Sequence, residues 1–331
     1  MKQFYMLFLK KGYAMKYINN TNVSKIGLGT GRFGTVVSEE ISHQLLDYFY
    51  DNGGTVIDTA RNYYEWVENG RGKSEECIGR WLEKRKNREK VCLSTKCGVK
   101  NKGKVWNIDL SKDALICELN ESLEALHTDY IDIYLLHRDE KERAVEEIVD
   151  TMQLIKEQGK IRYLGVSNWS CERVKAANDY AIKNKLEPFK FVQTWWSLAE
   201  YKYEMWNDDN TTHMDDDMYS YMLQNNMIGM AYTSQCKGFF QKAIKDGLEN
   251  VSEFLRHRIV TERNLKKLEY IKRHCILNNV SPTSFVNGYI TSNPLNGIAL
   301  VSSSNPEQLS DILRNCDYEL DVNEIKKIDS I

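Results

Sequence analysis

At 331 residues, 42% hydrophobic and 28% charged, the chain has the make-up of a packed globular protein and room for one large domain or two small ones. A formal net charge of −2 offers no electropositive face for nucleic acid or for a membrane surface. The eight cysteines are scattered without a CxxC pair, which fits reduced thiols in a cytoplasm, and no run of 18 apolar residues is present to span a bilayer.

Apolar runs and helical periodicity alternate along the chain. Residues 4–9 are apolar but too short and too poorly flanked for a secretory signal. Residues 1–14 therefore read as an upstream extension, with an added strand or packing arm as the alternative, and 15–331 as one domain. A strand over 25–30 precedes a helix over 41–50 with Leu45, Leu46 and Phe49 on one face. The next strand, 55–58, stops at Asp58. Tyr63 and Tyr64 follow on a loop with Gly70 and Gly72, and Ser74, Glu75 and Glu76 open a helix over 74–85. Strand 91–96 ends in Lys96 and leads to helix 111–127. Strand 131–136 runs into His137 and leads to helix 142–157, which Gly159 closes. Strand 161–166 precedes helix 170–184, and strand 190–194 precedes a helix near 215–225. Strand 227–232 leads through a long connection to helix 262–278; strand 298–301, helix 306–315 and a last helix over 321–328 complete the chain.

Eight such units, with no composition break between them, predict a (β/α)8 TIM barrel in the α/β class, a single domain with long loops at the C-terminal mouth. The rival, an open doubly wound sheet, would need a glycine-rich turn followed closely by a helix. Gly27-Leu28-Gly29-Thr30-Gly31 has the glycines but not the helix. The long loops, 196–213 and 233–261, are of a size that shapes a substrate pocket. The acidic run Asp215-Asp216-Asp217 near His213 reads as a solvated helix start, and no metal is expected there.

In such a barrel the strand C-termini face one mouth, so Asp58, Lys96 and His137 converge and Tyr63 folds in from the first of these loops. Singly, each has an ordinary reading: a helix cap, a solvated amine, a core histidine, a packing ring. Together they form an arrangement that is costly without a function. A phenol titrates near 10, and a neighbouring ammonium favours its ionised form. Lys96 can supply that charge, Asp58 can hold Lys96, and His137 can bond the oxygen of a carbonyl. The group suits proton delivery to a carbonyl receiving a hydride, and no side chain here donates hydride, so a nicotinamide cofactor is implied.

Over nearly its whole length, from about Met15, the chain resembles the aldo-keto reductase family. The resemblance rests on Gly27-Leu28-Gly29-Thr30, Asp58-Thr59-Ala60 with Tyr63 and Lys73-Ser74-Glu75, and Ser94-Thr95-Lys96. It continues in Asp129-Tyr130-Ile131-Asp132 with Leu136-His137-Arg138, Gly165-Val166-Ser167-Asn168, Gln193, Tyr232 and Asn305-Pro306-Glu307-Gln308-Leu309. It implies an NAD(P)H-dependent oxidoreductase acting on an aldehyde, ketone or sugar carbonyl, with the tetrad Asp58, Tyr63, Lys96 and His137 and with Tyr63 as the acid. It also implies that Ser167, Asn168 and Gln193 bond the nicotinamide carboxamide and that Tyr232 stacks on its ring. Thr233, Ser234 and Gly238 belong to the loop over the pyrophosphate. Ser302, Ser303, Ser304, Gln308 and Asp311 take the adenosine-phosphate end, at a helix N-terminus suited to anions. Gly29 and Thr30, with Asp58, line the same cofactor.

Three departures stand out. Family members that select the 2′-phosphate carry Arg or Lys near 302, 304 or 308, where this chain has Ser302, Ser304 and Gln308, so NADPH and NADH are both open; Ile312 stands where an Asn for the adenine is common. Tyr64 replaces the glycine that usually follows the acid and competes with Tyr63 for the role. Trp66, Trp195 and Trp196 are candidate substrate walls. The partner expected is a small carbonyl or sugar, with self-association left open. The competing readings are a cofactor-binding redox sensor that regulates a partner, and a metal-dependent barrel hydrolase, which one strand-end histidine does not support.

Overall fold

The computed structural model describes residues 15–18, 21–102, 105–206, 210–295, 297–314 and 316–331; the extension 1–14 lies outside the described residues. Eight short apolar runs form parallel strands, Ile26–Gly29, Val56–Asp58, Cys92–Cys97, Ile131–Leu136, Ile161–Ser167, Phe191–Trp195, Ile228–Tyr232 and Ile298–Val301. Each pairs with the next, and the last pairs with the first through Ala299 opposite Ile26, so the sheet closes into a barrel. The predicted fold class and all eight barrel strands are therefore found.

Period-two alternation decides what fills the barrel. Val56, Cys92, Ile133, Leu135, Phe191, Ile228, Met230, Ile298 and Leu300 form the inner apolar cluster. A fully buried side chain of the larger kinds contributes roughly 1.5–3 kcal/mol. Gly27 makes room for this layer, since a Cβ there would lie 2.7 Å from the Leu300 side chain. Two residues further along the same inward faces come Asp58, Ser94 and then Lys96, His137, Gln193 and Tyr232. The inward row thus turns from apolar to polar toward the strand C-termini, which places the polar groups at the mouth.

The helices pack outside and are capped as their sequences dictate. Ser38, Ser111, Ser170, Asp215, Thr261, Ser281, Asn305 and Asp321 each accept a backbone N–H of the turn that they open. The acidic run at 215 is thus a helix start, as expected. Other expectations need correction. The region 233–261 is no open loop: it holds helices Phe239–Asp246 and Glu253–Ile259, whose Phe239, Phe240, Leu255 and Ile259 are buried. Pro282–Thr291 is a further helix, with Pro at its first turn. Two antiparallel hairpins flank the barrel, Met15–Ile18 with Thr21–Ser24 and Val99–Lys102 with Val105–Ile108. Val23 of the first joins the inner cluster and Ser24 bonds Thr55 and Ile26 at strand starts, so this hairpin plugs the N-terminal end. Among the described residues no helix is long and apolar enough to cross a membrane.

Candidate active site

Asp58, Tyr63, Lys96 and His137 meet at the mouth. Lys96 is 1% exposed, and its Nζ donates to Asp58 Oδ2 at 2.8 Å, the Thr59 carbonyl at 2.6 Å and the Tyr63 hydroxyl at 2.8 Å. Three oxygens around one ammonium satisfy its three donors. The same Nζ lies 4.7 Å from the Tyr63 ring centroid. Asp58 Oδ1 accepts from Ser94 Oγ and Gln193 Nε2, both at 2.9 Å, so the carboxylate is held from two other strands. The Tyr63 hydroxyl reaches Asp58 Oδ2 at 3.3 Å. The rings of Tyr63 and His137 stand edge to face with centroids 5.9 Å apart.

Burial governs the titration of the group. It pulls the Lys96 ammonium down, against the attraction of Asp58. It holds His137 well below the ordinary imidazole value, with help from the Lys96 and Arg138 charges, so the ring is neutral near pH 7. The expected acidification of the phenol is reversed: burial, and then the Asp58 carboxylate, push Tyr63 well above a phenol's usual value. The hydroxyl therefore keeps its proton. Lys96 still donates to the phenol oxygen, where charge would grow if that proton left.

Of the two tyrosines, Tyr63 is the one that Lys96 reaches. Tyr64 sits in the left-handed region at φ 55°, where a glycine is at ease, and stacks on Trp66 with centroids 4.9 Å apart. Trp66 is exposed on the loop beyond the second barrel strand. Trp195 is buried and packs against Tyr201 at 4.5 Å and Tyr232 at 6.0 Å. Trp196 does not face the mouth. One residue out of phase with Gln193 and Trp195, it packs beside Gly229, Gly297 and Tyr219 on the outer side of the barrel.

The residues assigned to the nicotinamide end cluster beside the tetrad. Asn168, buried at φ 59°, donates from Nδ2 to Ser167 Oγ at 2.9 Å, and its Oδ1 accepts the Tyr232 hydroxyl at 2.6 Å. Gln193 holds Asp58 through its amide N–H at 2.9 Å. Gly29 ends the first strand opposite Asp58. The Thr30 hydroxyl is engaged within the protein, with the Asp58 carbonyl at 3.0 Å and Ser74 Oγ at 2.9 Å, and so anchors the strand end. In the segment after Tyr232, Thr233, Cys236 and Lys237 hold φ near 55° and Gly238 holds 78°. Strain of roughly 1–2 kcal/mol per non-glycine residue of this kind marks a segment kept for more than packing. Ser234 Oγ ties it to the Leu300 carbonyl at 2.7 Å.

At the far end Ser302, Ser304 and Gln308 are exposed, beside the N-terminus of helix Pro306–Leu313. Gln308 Oε1 folds back toward the Ser304 amide at 3.5 Å. Asp311 accepts from Thr283 Oγ1 at 3.1 Å. The sequence left Ser94, Asn62 and Arg138 without roles. Ser94 was signalled by its period-two relation to Lys96. Asn62 Oδ1 lies 2.7 Å from His137 Nδ1, across 75 residues, which no local pattern announces. Arg138 donates to the Asn210 carbonyl at 2.7 Å and lies over the Trp106 ring at 4.6 Å.

The aldo/keto reductase family profile matches residues 25–331. The chain belongs to the aldo/keto reductase family. It is similar to aldo-keto reductase YhdN of Bacillus subtilis (strain 168), 26% identical over 319 residues, which cover 93% of this chain and 89% of that one. It is also similar to a norsolorinic acid reductase of Aspergillus flavus, 35% identical over 191 residues, covering 54% of this chain and 47% of the relative. An aryl-alcohol dehydrogenase of Phanerodontia chrysosporium, whose name specifies NADP(+), is 33% identical over 182 residues, covering 52% and 44%. The chain spans about half the length of several of the curated relatives that it matches.

Proposed function

We propose that this aldo/keto reductase family member is an NAD(P)H-dependent oxidoreductase that reduces an aldehyde or ketone, with Tyr63 as the proton donor. The observation that carries the reading is the Lys96 ammonium shared by Asp58, the Thr59 carbonyl and the Tyr63 hydroxyl, all within 2.8 Å. The donor set at the mouth suits a nicotinamide dinucleotide: amides on Asn168 and Gln193, the half-buried ring of Tyr232, the strained segment 233–238 and a helix N-terminus at Pro306. Ser167, Asn168 and Gln193 would hold the carboxamide, Tyr232 the ring face, Thr233, Ser234 and Gly238 the pyrophosphate, and Ser302, Ser304, Gln308 and Asp311 the adenosine end.

When bound, the cofactor supplies the hydride. Tyr63 gives its proton to the carbonyl oxygen. Lys96 donates to the phenol oxygen as negative charge grows there, and Asp58 keeps the amine charged and aimed. Burial excludes water from the amine and strengthens each of these interactions.

Aromatic rings near the mouth, Trp66 on Tyr64 and Trp195 against Tyr232, favour an aromatic carbonyl, in line with the aryl-alcohol and norsolorinic acid names among the relatives. Purified protein given NADPH or NADH and a carbonyl panel tests the reading. Turnover is expected on an aryl aldehyde, and Tyr63→Phe is expected to abolish it while leaving cofactor affinity within a few-fold. Near-normal turnover in that variant would remove Tyr63 from the role. Tight cofactor retention with no turnover on any carbonyl would point to the redox-sensing alternative.

A further inference from the structure

We propose that Arg138 is a positioning residue: it fastens two loop segments to each other across the mouth and so fixes the wall against which a carbonyl substrate is held. Arg138 follows His137 and is 6% exposed. Its Nη1 donates to the Asn210 carbonyl at 2.7 Å, across 72 residues, and reaches Thr211 Oγ1 at 3.5 Å. Its guanidinium lies over the ring of Trp106, 4.6 Å from the centroid, on the hairpin strand Val105–Ile108. That hairpin leaves the mouth end of strand Cys92–Cys97, and residues 210–214 come after strand Phe191–Trp195. Strands Ile131–Leu136 and Ile161–Ser167 stand between those two in the barrel. Arg138 therefore joins insertions from strands that do not pair with each other. A flat guanidinium donates in its plane and stacks by its face at once, which an ammonium does not.

Segment 210–214 is in turn stitched to the site. The Thr212 carbonyl accepts the Trp195 amide at 3.1 Å and the Thr194 hydroxyl at 2.7 Å, and the Met214 amide donates to the Trp195 carbonyl at 2.9 Å. The Tyr232 hydroxyl comes within 3.4 Å of the same Thr212 oxygen. The segment thus runs beside the ring that takes the nicotinamide on the reading of the preceding section, and the inference rests on that reading. The substrate atoms beyond the reacting carbon then fall between the tetrad, this segment and the hairpin. A rigid flat substrate needs that wall in one place, whereas a flexible chain adapts to a displaced one. Arg138 accordingly acts on which carbonyl is preferred. Burial dominates the titration of Tyr63 and His137, and the Arg138 charge bears on both, but that effect falls on the reacting oxygen, which all carbonyls share.

Hydrogen exchange of the ligand-free protein tests the clasp, and a ratio between two substrates tests its consequence. Arg138→Met keeps the length of the side chain but neither donates nor carries charge. It is expected to speed amide exchange in peptides covering 210–214 and 105–108 by about tenfold, with helix Glu39–Asp51 unchanged. Given NADPH or NADH, it is expected to lower kcat/KM for benzaldehyde about tenfold more than for butanal. Arg138→Lys keeps the charge beside Tyr63 but not the fork, and is expected to lose the ratio as Arg138→Met does. Recovery of the ratio in Arg138→Lys would assign the effect to charge and overturn the clasp. Trp106→Leu removes the stacked ring from a half-buried position and is expected to lower the same ratio, with no further fall when Arg138→Met is added, because the two side chains act as one unit. If Arg138→Met does not fold, exchange and the ratio in Trp106→Leu decide. Unchanged exchange over 210–214, or an unchanged ratio, would overturn the proposal. A protein that turned over neither aldehyde would sink the reductase reading, while the exchange comparison would still decide the clasp.

Discussion

Lys96 is the residue on which the site turns. An ammonium at 1% exposure survives only because three oxygens take its hydrogens, one of them charged. Lys96→Met removes the donor to the phenol and strands Asp58 in the barrel. Activity is expected to fall by about 10²–10⁴-fold, and stability by roughly 3–5 kcal/mol, the loss for breaking a buried pair. Turnover and the denaturation midpoint read the two effects separately; a variant with unchanged kcat would show that the phenol needs no ammonium. His137 gives a pH dependence whose sign follows from its depressed native pKa. The unfolded ring titrates near 6.5 while the folded ring resists protonation, so between those values the unfolded chain binds the extra proton. Stability is therefore expected to be complete above about 6.5 and to fall as pH drops toward the native value. Denaturant midpoints at a series of pH values should show this slope, and His137→Gln should flatten it. Tyr64 shows what local reading can catch: the missing glycine was visible, and the structure adds that its φ of 55° is a strained place for a tyrosine.

Among the elements, strand Ile131–Leu136 is fastened at its start by charge. Asp132 accepts the Leu93 amide at 2.9 Å and the guanidiniums of Arg88 and Arg162, each at 2.8 Å. The two guanidiniums also cover the Tyr130 ring, at 3.9 and 4.1 Å from its centroid. Asp132→Ala would leave the partly buried Arg88 charge without its carboxylate and is expected to cost about 3 kcal/mol. This cluster lies at the opposite end of the strand from His137, so kcat/KM of the folded fraction is expected to hold. A variant as stable as the wild type would show that the charge cluster contributes nothing net. Several elements that sequence reading missed lack a local pattern to announce them. Val99–Lys102 and Val105–Ile108 form an isolated two-stranded ribbon with lysines along it, so no apolar alternation announces it. Phe239–Asp246 and Glu253–Ile259 are eight and seven residues long, too short for helical periodicity to emerge from a region that otherwise reads as loop.

At the scale of the whole molecule, barrel closure gathers one end of every strand around a common space. On the proposed reading, exposed Ser302, Ser304 and Gln308 present hydroxyls and an amide at the adenosine end, with no cation among them to select a 2′-phosphate. NADPH and NADH are therefore expected to bind within about tenfold of each other, and Gln308→Arg to shift the ratio toward NADPH by about tenfold or more, since a hydrogen bond to a charged group contributes about 1.5–3 kcal/mol. Fluorescence titration with both cofactors measures the ratio; no shift in Gln308→Arg would place the phosphate elsewhere.

The sequence by itself determined the eight strand-then-helix units, their closure into a barrel and the strand-end positions of Asp58, Lys96 and His137, because period-two and period-3.6 patterns are local and a strand's last inward residue can be counted. Only the tertiary structure decided that Trp196 faces outward, that Asn62 meets His137 across 75 residues and that burial raises Tyr63 where its neighbour's charge alone would lower it. Those outcomes depend on stagger between strands, on which loop folds over which end, and on how much water is excluded, and none of these quantities is written in any short stretch of chain.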